Sequence, residues 1–203
     1  MSTDKTIDYY FSVVSPWAYM GHARFLDIAQ KFGCQVVYHP LSSPDLFPAT
    51  GGQLLKDRAQ HRKDYRLVEL ARWSKHLGIS LNLQPQYFPI PEAPASKLIL
   101  AAQEAGHDVG PLLGAIFKAV WTDELDASDA PTLKKLADGC GLDGAALLEA
   151  STDESYDSAF AQTTQSAIAR GVFGYPSYVY NDELFWGQDR LDFVERALNA
   201  ASA

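Results

Sequence analysis

Ser15 stands where an alternating run, Tyr9-Tyr10-Phe11-Ser12-Val13-Val14, gives way to Pro16-Trp17-Ala18-Tyr19-Met20-Gly21 and the spacing of a helix. A hydroxyl at such a joint sits at the positive end of a helix dipole, beside backbone N–H groups that lack intrahelical partners. That place favours an anion such as a thiolate. The same two residues also make an ordinary helix start, a serine N-cap followed by a proline at the first helical position. Two distant stretches bear on the choice, Phe173-Gly174-Tyr175-Pro176 and Trp186-Gly187-Gln188-Asp189-Arg190.

Other catalytic signatures do not occur. The chain has no phosphate-binding glycine loop, no dinucleotide loop, no Gly-x-Ser-x-Gly elbow and no His-Glu-x-x-His. His22, His39, His61, His76 and His107 are scattered without metal-ligand spacing, so no metal is expected. Cys34 and Cys140 form no Cys-x-x-Cys pair, read as core thiols and exclude a dithiol motif.

A formal net charge of -8 argues against nucleic acid as a partner, because phosphate recognition needs a basic field. The cations nevertheless crowd one segment, with Lys56, Arg58, Arg62, Lys63, Arg66, Arg72 and Lys75. Most of such a run is a solvated helix face, and one or two members are free to serve a small anionic ligand. No apolar run reaches membrane-spanning length, and Met1 to Thr6 lack a secretory signature, so no membrane association and a cytoplasmic location are expected.

The elements that must position these residues follow from periodicity. Residues 7 to 13 place Ile7, Tyr9, Phe11 and Val13 on one face of a strand and Asp8, Tyr10 and Ser12 on the other. A helix from Pro16 to about Phe32 ends at Gly33, and a strand at Cys34 to His39 completes a βαβ unit with parallel strands. Residues 40 to 52, with three prolines and two glycines, read as a loop. Helices follow near 54 to 77, 96 to 105, 109 to 121, 131 to 140, 143 to 150 and 155 to 170, with an extended proline-rich connection between Gln84 and Pro94. Ser177 to Tyr180 and Leu184 to Trp186 pair across Asn181-Asp182, and a last helix begins near Asp189. An α/β layer formed by residues 1–52 and 151–203, interrupted by a helical insertion at 53–150, fits this order better than two consecutive domains.

With a βαβ start, a proline before an antiparallel pair and a terminal helix, the chain resembles the thioredoxin fold. Ser15-Pro16-Trp17-Ala18 then occupies the place of the Cys-x-x-Cys motif, and Tyr175-Pro176 that of the cis-proline dipeptide. Together with Trp186-Gly187-Gln188-Asp189-Arg190, these motifs are similar to those of the 2-hydroxychromene-2-carboxylate isomerases. Those enzymes are relatives of kappa-class glutathione transferases within the DsbA-like group, and the likeness runs from Ile7 to Leu198.

The resemblance implies a glutathione-dependent isomerase acting on a small aromatic substrate, and a homodimer. Ser15 would donate to the glutathione thiolate, which adds to the chromene ring; the ring opens, a bond rotates and glutathione is expelled. The backbone of Tyr175, ahead of a cis Pro176, would pair with the cysteinyl part. Gln188 and Asp189 would hold the γ-glutamyl end, with Asp189 alternatively a plain N-cap. Arg62 is the candidate for the glycyl carboxylate, and Trp17, Phe88 and Trp121 for the walls of the aromatic pocket. Two other readings stand beside this one: a kappa-like glutathione transferase or peroxidase, and a non-enzymatic thioredoxin-fold protein that clasps an extended peptide at Pro176.

Overall fold

β1 (Thr6–Phe11) is the strand on which the sheet is built. It is followed by α1 (Pro16–Phe32), β2 (Gln35–Pro40), α2 (Ser43–Thr50), a 3-10 turn at Leu55–Asp57 and α3 (Gln60–Leu77). Then come α4 (Ala93–Glu104), α5 (Gly110–Trp121), α6 (Ala130–Gly139), α7 (Gly144–Ala150) and α8 (Glu154–Ala169). The chain closes with β3 (Ser177–Tyr180), β4 (Glu183–Trp186), a 3-10 turn at Gln188–Arg190 and α9 (Leu191–Ala200). The computed structural model describes residues 5 to 201. Met1 to Asp4, on which the expectation about a secretory leader largely rests, lie outside the described residues. No helix among the described residues is long and apolar enough to cross a membrane.

The four strands are ordered β2-β1-β3-β4. β1 runs parallel to β2, with Ile7 opposite Val36, and antiparallel to β3, with Tyr9 opposite Tyr178. β3 returns as β4 through Asn181 and Asp182, both at positive φ, as a tight two-residue hairpin requires. This is the thioredoxin arrangement read from the sequence. Both faces of β1 are buried. Ile7, Tyr9 and Phe11 face the main core with α1, α5 and α9, while Tyr10 packs with Leu41, Leu46, Ala167 and Val179 under α2 and α8. The main core runs without a break from the sheet into the inserted helices, through Phe117, Trp121 and Leu133.

The reading of residues 40 to 52 as a loop is corrected by α2. Proline does not forbid this helix, because Pro44 falls in its first turn, where no N–H is needed, and Pro48 removes a single bond. Gly51, at φ 77°, ends the helix in the left-handed conformation. What makes the segment helical is tertiary: Leu46 is fully buried against the second face of the sheet. Such a short helix has too few turns to show a period in the sequence.

His22, on α1, is structural, as its isolation in the sequence suggests. Its Nε2 lies 2.9 Å from the Gly110 carbonyl oxygen, so this nitrogen carries the proton, and Nδ1 is buried without a partner. Burial lowers its pKa to about 4 from an ordinary 6.5. The unfolded chain therefore binds more protons than the folded one between these values, and stability rises with pH across that window. Lowering the pH from 6.5 to 4 should cost the wild type on the order of 3 kcal/mol that the His22→Gln variant does not lose. Urea unfolding at a series of pH values checks this; parallel curves would contradict it.

Candidate active site

A cavity of about 990 Å³ opens where the β1–α1 turn, the start of α2 and the loop before β3 meet the inserted block. The core contributes Ser15, Trp17, Phe47 and Tyr175, and the insertion contributes Arg62, Arg66, Phe88 and Glu92. The volume lies at the upper end of the range for small-molecule sites, about 300–1,000 Å³, and accommodates a peptide-sized ligand beside a second small molecule.

Ser15 is both a cap and a lining residue. Its Oγ accepts from the Ala18 N–H at 3.1 Å, and its carbonyl oxygen accepts from Tyr19 N–H at 3.0 Å, which makes it the N-cap of α1. Its backbone N–H donates to the Ser12 carbonyl at 2.9 Å, closing a tight turn out of β1. The Ser15 hydroxyl proton finds no acceptor among the described residues, and neither does the Trp17 N–H. Because Pro16 has no N–H, these are the two donors left at this helix start. Both stand on the cavity at the positive end of a 17-residue helix.

On the opposite side of the turn lies a carboxyl that the sequence reading passed over. Glu92 Oε1 accepts from the Ser12 hydroxyl and, at 2.5 Å, from the Ser43 hydroxyl, while Oε2 accepts from Ser43 N–H at 2.9 Å. Ser43 Oγ is 2.6 Å from the Tyr175 hydroxyl. One carboxyl thus joins the β1–α1 turn and the start of α2, and through Ser43 the loop ahead of Pro176. Burial raises the Glu92 pKa above 4.5, and its three hydrogen bonds oppose that shift without cancelling it. The Tyr175–Pro176 peptide bond is cis, as the resemblance implies, and so is Phe88–Pro89. The β3–β4 ladder starts at Ser177 and Trp186, so the Tyr175 backbone N–H stays outside it and has no partner among the described residues.

The cavity is strongly electropositive. Lys56, Arg58, Arg62, Lys63 and Arg66 line it against Glu92, its one acidic side chain. Among the described residues none of these five cations is paired with a carboxylate. Arg58 Nε and Lys63 Nζ donate to the backbone carbonyls of Gln53 and Lys56. Arg66 is the most enclosed, with its guanidinium 5.6 Å from the Phe88 ring centroid and 6.0 Å from that of Trp121. Burial lowers its pKa to about 10, and the neighbouring Arg58 adds to the effect. No cluster of three or more His, Cys, Asp or Glu among the described residues is placed to hold a metal ion. Cys34 and Cys140 are half-buried rather than fully in the core, and burial raises the pKa of both thiols, so neither is a ready nucleophile.

Residues 6–199 match the model of the DSBA-like thioredoxin domain. The chain belongs to that family. Within the DSBA-like family it is 30% identical over 195 residues to 2-hydroxychromene-2-carboxylate isomerase of Sphingobium xenophagum, covering 96% of this chain and 98% of the relative. It is 29% identical over 197 residues to the enzyme of that name from Pseudomonas sp. strain C18, covering 96% of this chain and 91% of that one. A solved structure of 2-hydroxychromene-2-carboxylate isomerase superposes with a TM-score of 0.80 at 25% identity, covering 97% and 96% of the two chains.

Of the residues singled out by sequence, Ser15, Trp17, Arg62, Phe88 and Tyr175 meet on the cavity, and Gln188, Asp189, Trp121 and Pro176 do not. Pro176 is buried behind Tyr175 and uses its carbonyl to accept from Gly187 N–H at 2.8 Å. Gln188 is 3% exposed, and both its side-chain and backbone oxygens accept from Arg24. It packs so closely on Gly21 that a Cβ there would lie 2.8 Å from its own. Asp189 is exposed and pairs with Arg190 at 2.7 Å, and its side chain does not cap α9. Trp121 is fully buried, with its ring 4.8 Å from that of Phe88, so it backs the pocket wall without lining it. The lost signals were a lone acid within Pro89-Ile90-Pro91-Glu92-Ala93-Pro94, and Arg66 one turn beyond Arg62 on α3.

The Glu92 environment makes a stability prediction. A carboxyl whose pKa is raised on folding contributes fully below its ordinary 4.5, and that contribution is lost as pH rises through the folded value. Glu92→Gln does not ionise, so its stability relative to wild type should improve as pH rises above about 4.5 and level off once the raised folded value is passed. Chemical denaturation across that range measures it, and a pH-independent difference would show that Glu92 ionises alike in both states.

Proposed function

We propose that this protein is a glutathione-dependent isomerase that converts 2-hydroxychromene-2-carboxylate, or a related aromatic-catabolism substrate, to the open-chain trans-o-hydroxybenzylidenepyruvate. The carrying observation is the pair of unspent donors, the Ser15 hydroxyl and the Trp17 N–H, on a cation-lined cavity. The names of the relatives at 30% and 29% identity support the choice of reaction.

The residues present fit glutathione, a tripeptide with two carboxylates and a thiol. Ser15 and Trp17 N–H suit a thiolate, the free N–H of Tyr175 suits a peptide carbonyl of an extended ligand, and exposed Arg62 suits a terminal carboxylate. When bound, glutathione supplies a nucleophilic sulfur that is returned unchanged at the end of the cycle. Everything else in the reaction falls to this chain. Ser15 holds its proton toward the sulfur while its own oxygen stays fixed by Ala18 N–H, so the hydroxyl is oriented before any ligand arrives. The dipole of α1 lowers the cost of negative charge there. Trp17 and Phe88 present aromatic surface for a flat ring. Serine at this position excludes disulfide exchange, since an alcohol forms no mixed disulfide.

Isomerisation of the chromene carboxylate should require glutathione, and Ser15→Ala should lower kcat/KM about 100-fold. The same change should cost about 1 kcal/mol of stability from the lost cap. The assay is run with and without glutathione, and calorimetry follows its binding. Turnover at full rate without glutathione, or an unimpaired Ser15→Ala enzyme, would overturn the reading.

A further inference from the structure

Arg66 has a property that the thiol-handling side of the cavity does not explain. An arginine this enclosed ordinarily meets a carboxylate, because removing a guanidinium from water without a counter-charge is costly. Here it makes no hydrogen bond and no ion pair among the described residues, and its guanidinium lies over the faces of Phe88 and Trp121. Glu92, the one acid on the cavity, is committed to Ser12 and Ser43. Lys63 is turned to the Lys56 carbonyl and Arg58 to that of Gln53. Arg66 is therefore an uncompensated charge fixed over an aromatic floor, with donors open to the cavity.

We propose that Arg66 and Phe88 form the subsite for the carboxylate end of a planar aryl carboxylate, and that this subsite selects the second substrate. It rests on the isomerase reading above and adds to it the residue that recognises the acid group. The chemistry follows from geometry. A guanidinium is flat, offers parallel N–H donors in its own plane and matches a carboxylate with two bonds. The Phe88 ring beside it supplies a face for the conjugated part of the same ligand. A flat molecule that carries its carboxylate in conjugation with, or next to, an aromatic ring satisfies both at once, whereas a neutral ring leaves the buried charge unpaired. Arg62, one turn earlier on α3 and exposed, is left for the terminal carboxylate of the peptide.

Titration calorimetry of the full chain with cinnamate and with the uncharged cinnamamide tests this directly, in the presence of saturating glutathione. Wild type should prefer the carboxylate by about tenfold or more, the worth of a charged hydrogen-bonded pair. Arg66→Gln should lose that preference and bind glutathione as wild type does; Arg66→Lys should recover only part of it, since the fork is missing. Arg66→Gln leaves no buried polar group unpaired, so the variant should fold, with at most the loss of its contacts to the Phe88 and Trp121 rings. Equal affinity for acid and amide, no binding of either, or an unchanged preference in Arg66→Gln would overturn the proposal. Glutathione affinity falling with the variant would also overturn it, by assigning Arg66 to the peptide. The two readings fail separately. An intact acid preference without chromene turnover removes the isomerase and leaves the subsite. Turnover with an unchanged KM in Arg66→Gln removes the subsite and leaves the isomerase.

Discussion

The Glu92 carboxyl is the tie on which the geometry of the cavity depends. Three segments distant in sequence, the turn after β1, the start of α2 and the loop before β3, have no ladder hydrogen bonds among them at this point. Ser12, Ser43 and Tyr175 bring three hydroxyls to one place, and a single carboxyl from the inserted block organises them. The Ser12 link matters most, because the Ser12 carbonyl accepts from Ser15 N–H and so sets where the first turn of α1 begins. A half-satisfied polar cluster in such a place would be worse than an apolar one. This one is closed on every oxygen of the carboxyl, which is why the protein tolerates a group that burial pushes toward its protonated form.

A second constraint is the separation of charge. The chain as a whole is acidic, at -8, yet the cavity gathers five cations against one acid that is itself engaged. Surface carboxylates elsewhere are screened over about 8 Å at physiological ionic strength and do little to offset a concave patch of opposite sign. The net charge thus predicts what the protein repels, and the local charge what it attracts. Reading the total alone argues against nucleic acid as a partner but says nothing of an anionic small molecule.

How far the sequence disclosed all this follows the physics of each signal. Period-2 and period-3.6 patterns are local, so β1, α1, α5 and the β3–β4 hairpin were legible, and so was the meeting of Ser15 with Tyr175 once the fold was inferred. α2 was not, since an eight-residue helix with two prolines is held by Leu46 against the sheet and not by its own propensity. Trp121 read as a pocket residue because a helix end before an acidic loop suggests exposure, but Phe88 and Arg66 lie over it. Gln188 and Asp189 were placed by motif alone, and a motif does not say which way a side chain turns; the pull of Arg24 decided that for Gln188. Glu92 and Arg66 carry no motif at all, and only their missing or unusual partners mark them.

The cavity divides its chemistry by origin. The thioredoxin layer contributes neutral donors fixed by secondary structure: a capping hydroxyl, a helix N–H that proline leaves exposed, and a strand-edge N–H beside a cis bond. The helical block contributes nearly all the charge and Phe88 with its backing tryptophan. The two backbone N–H donors cannot be altered without altering the fold, whereas side chains on α3 and on the proline-rich segment after it can be exchanged at the surface of the cavity. On the proposed reading, sulfur would be handled by the part of the molecule that resists change and the second substrate recognised by the part that admits it. If glutathione is the cofactor, proteins sharing this core should share it more widely than the reaction, with the proposed Arg66 subsite on the side free to vary.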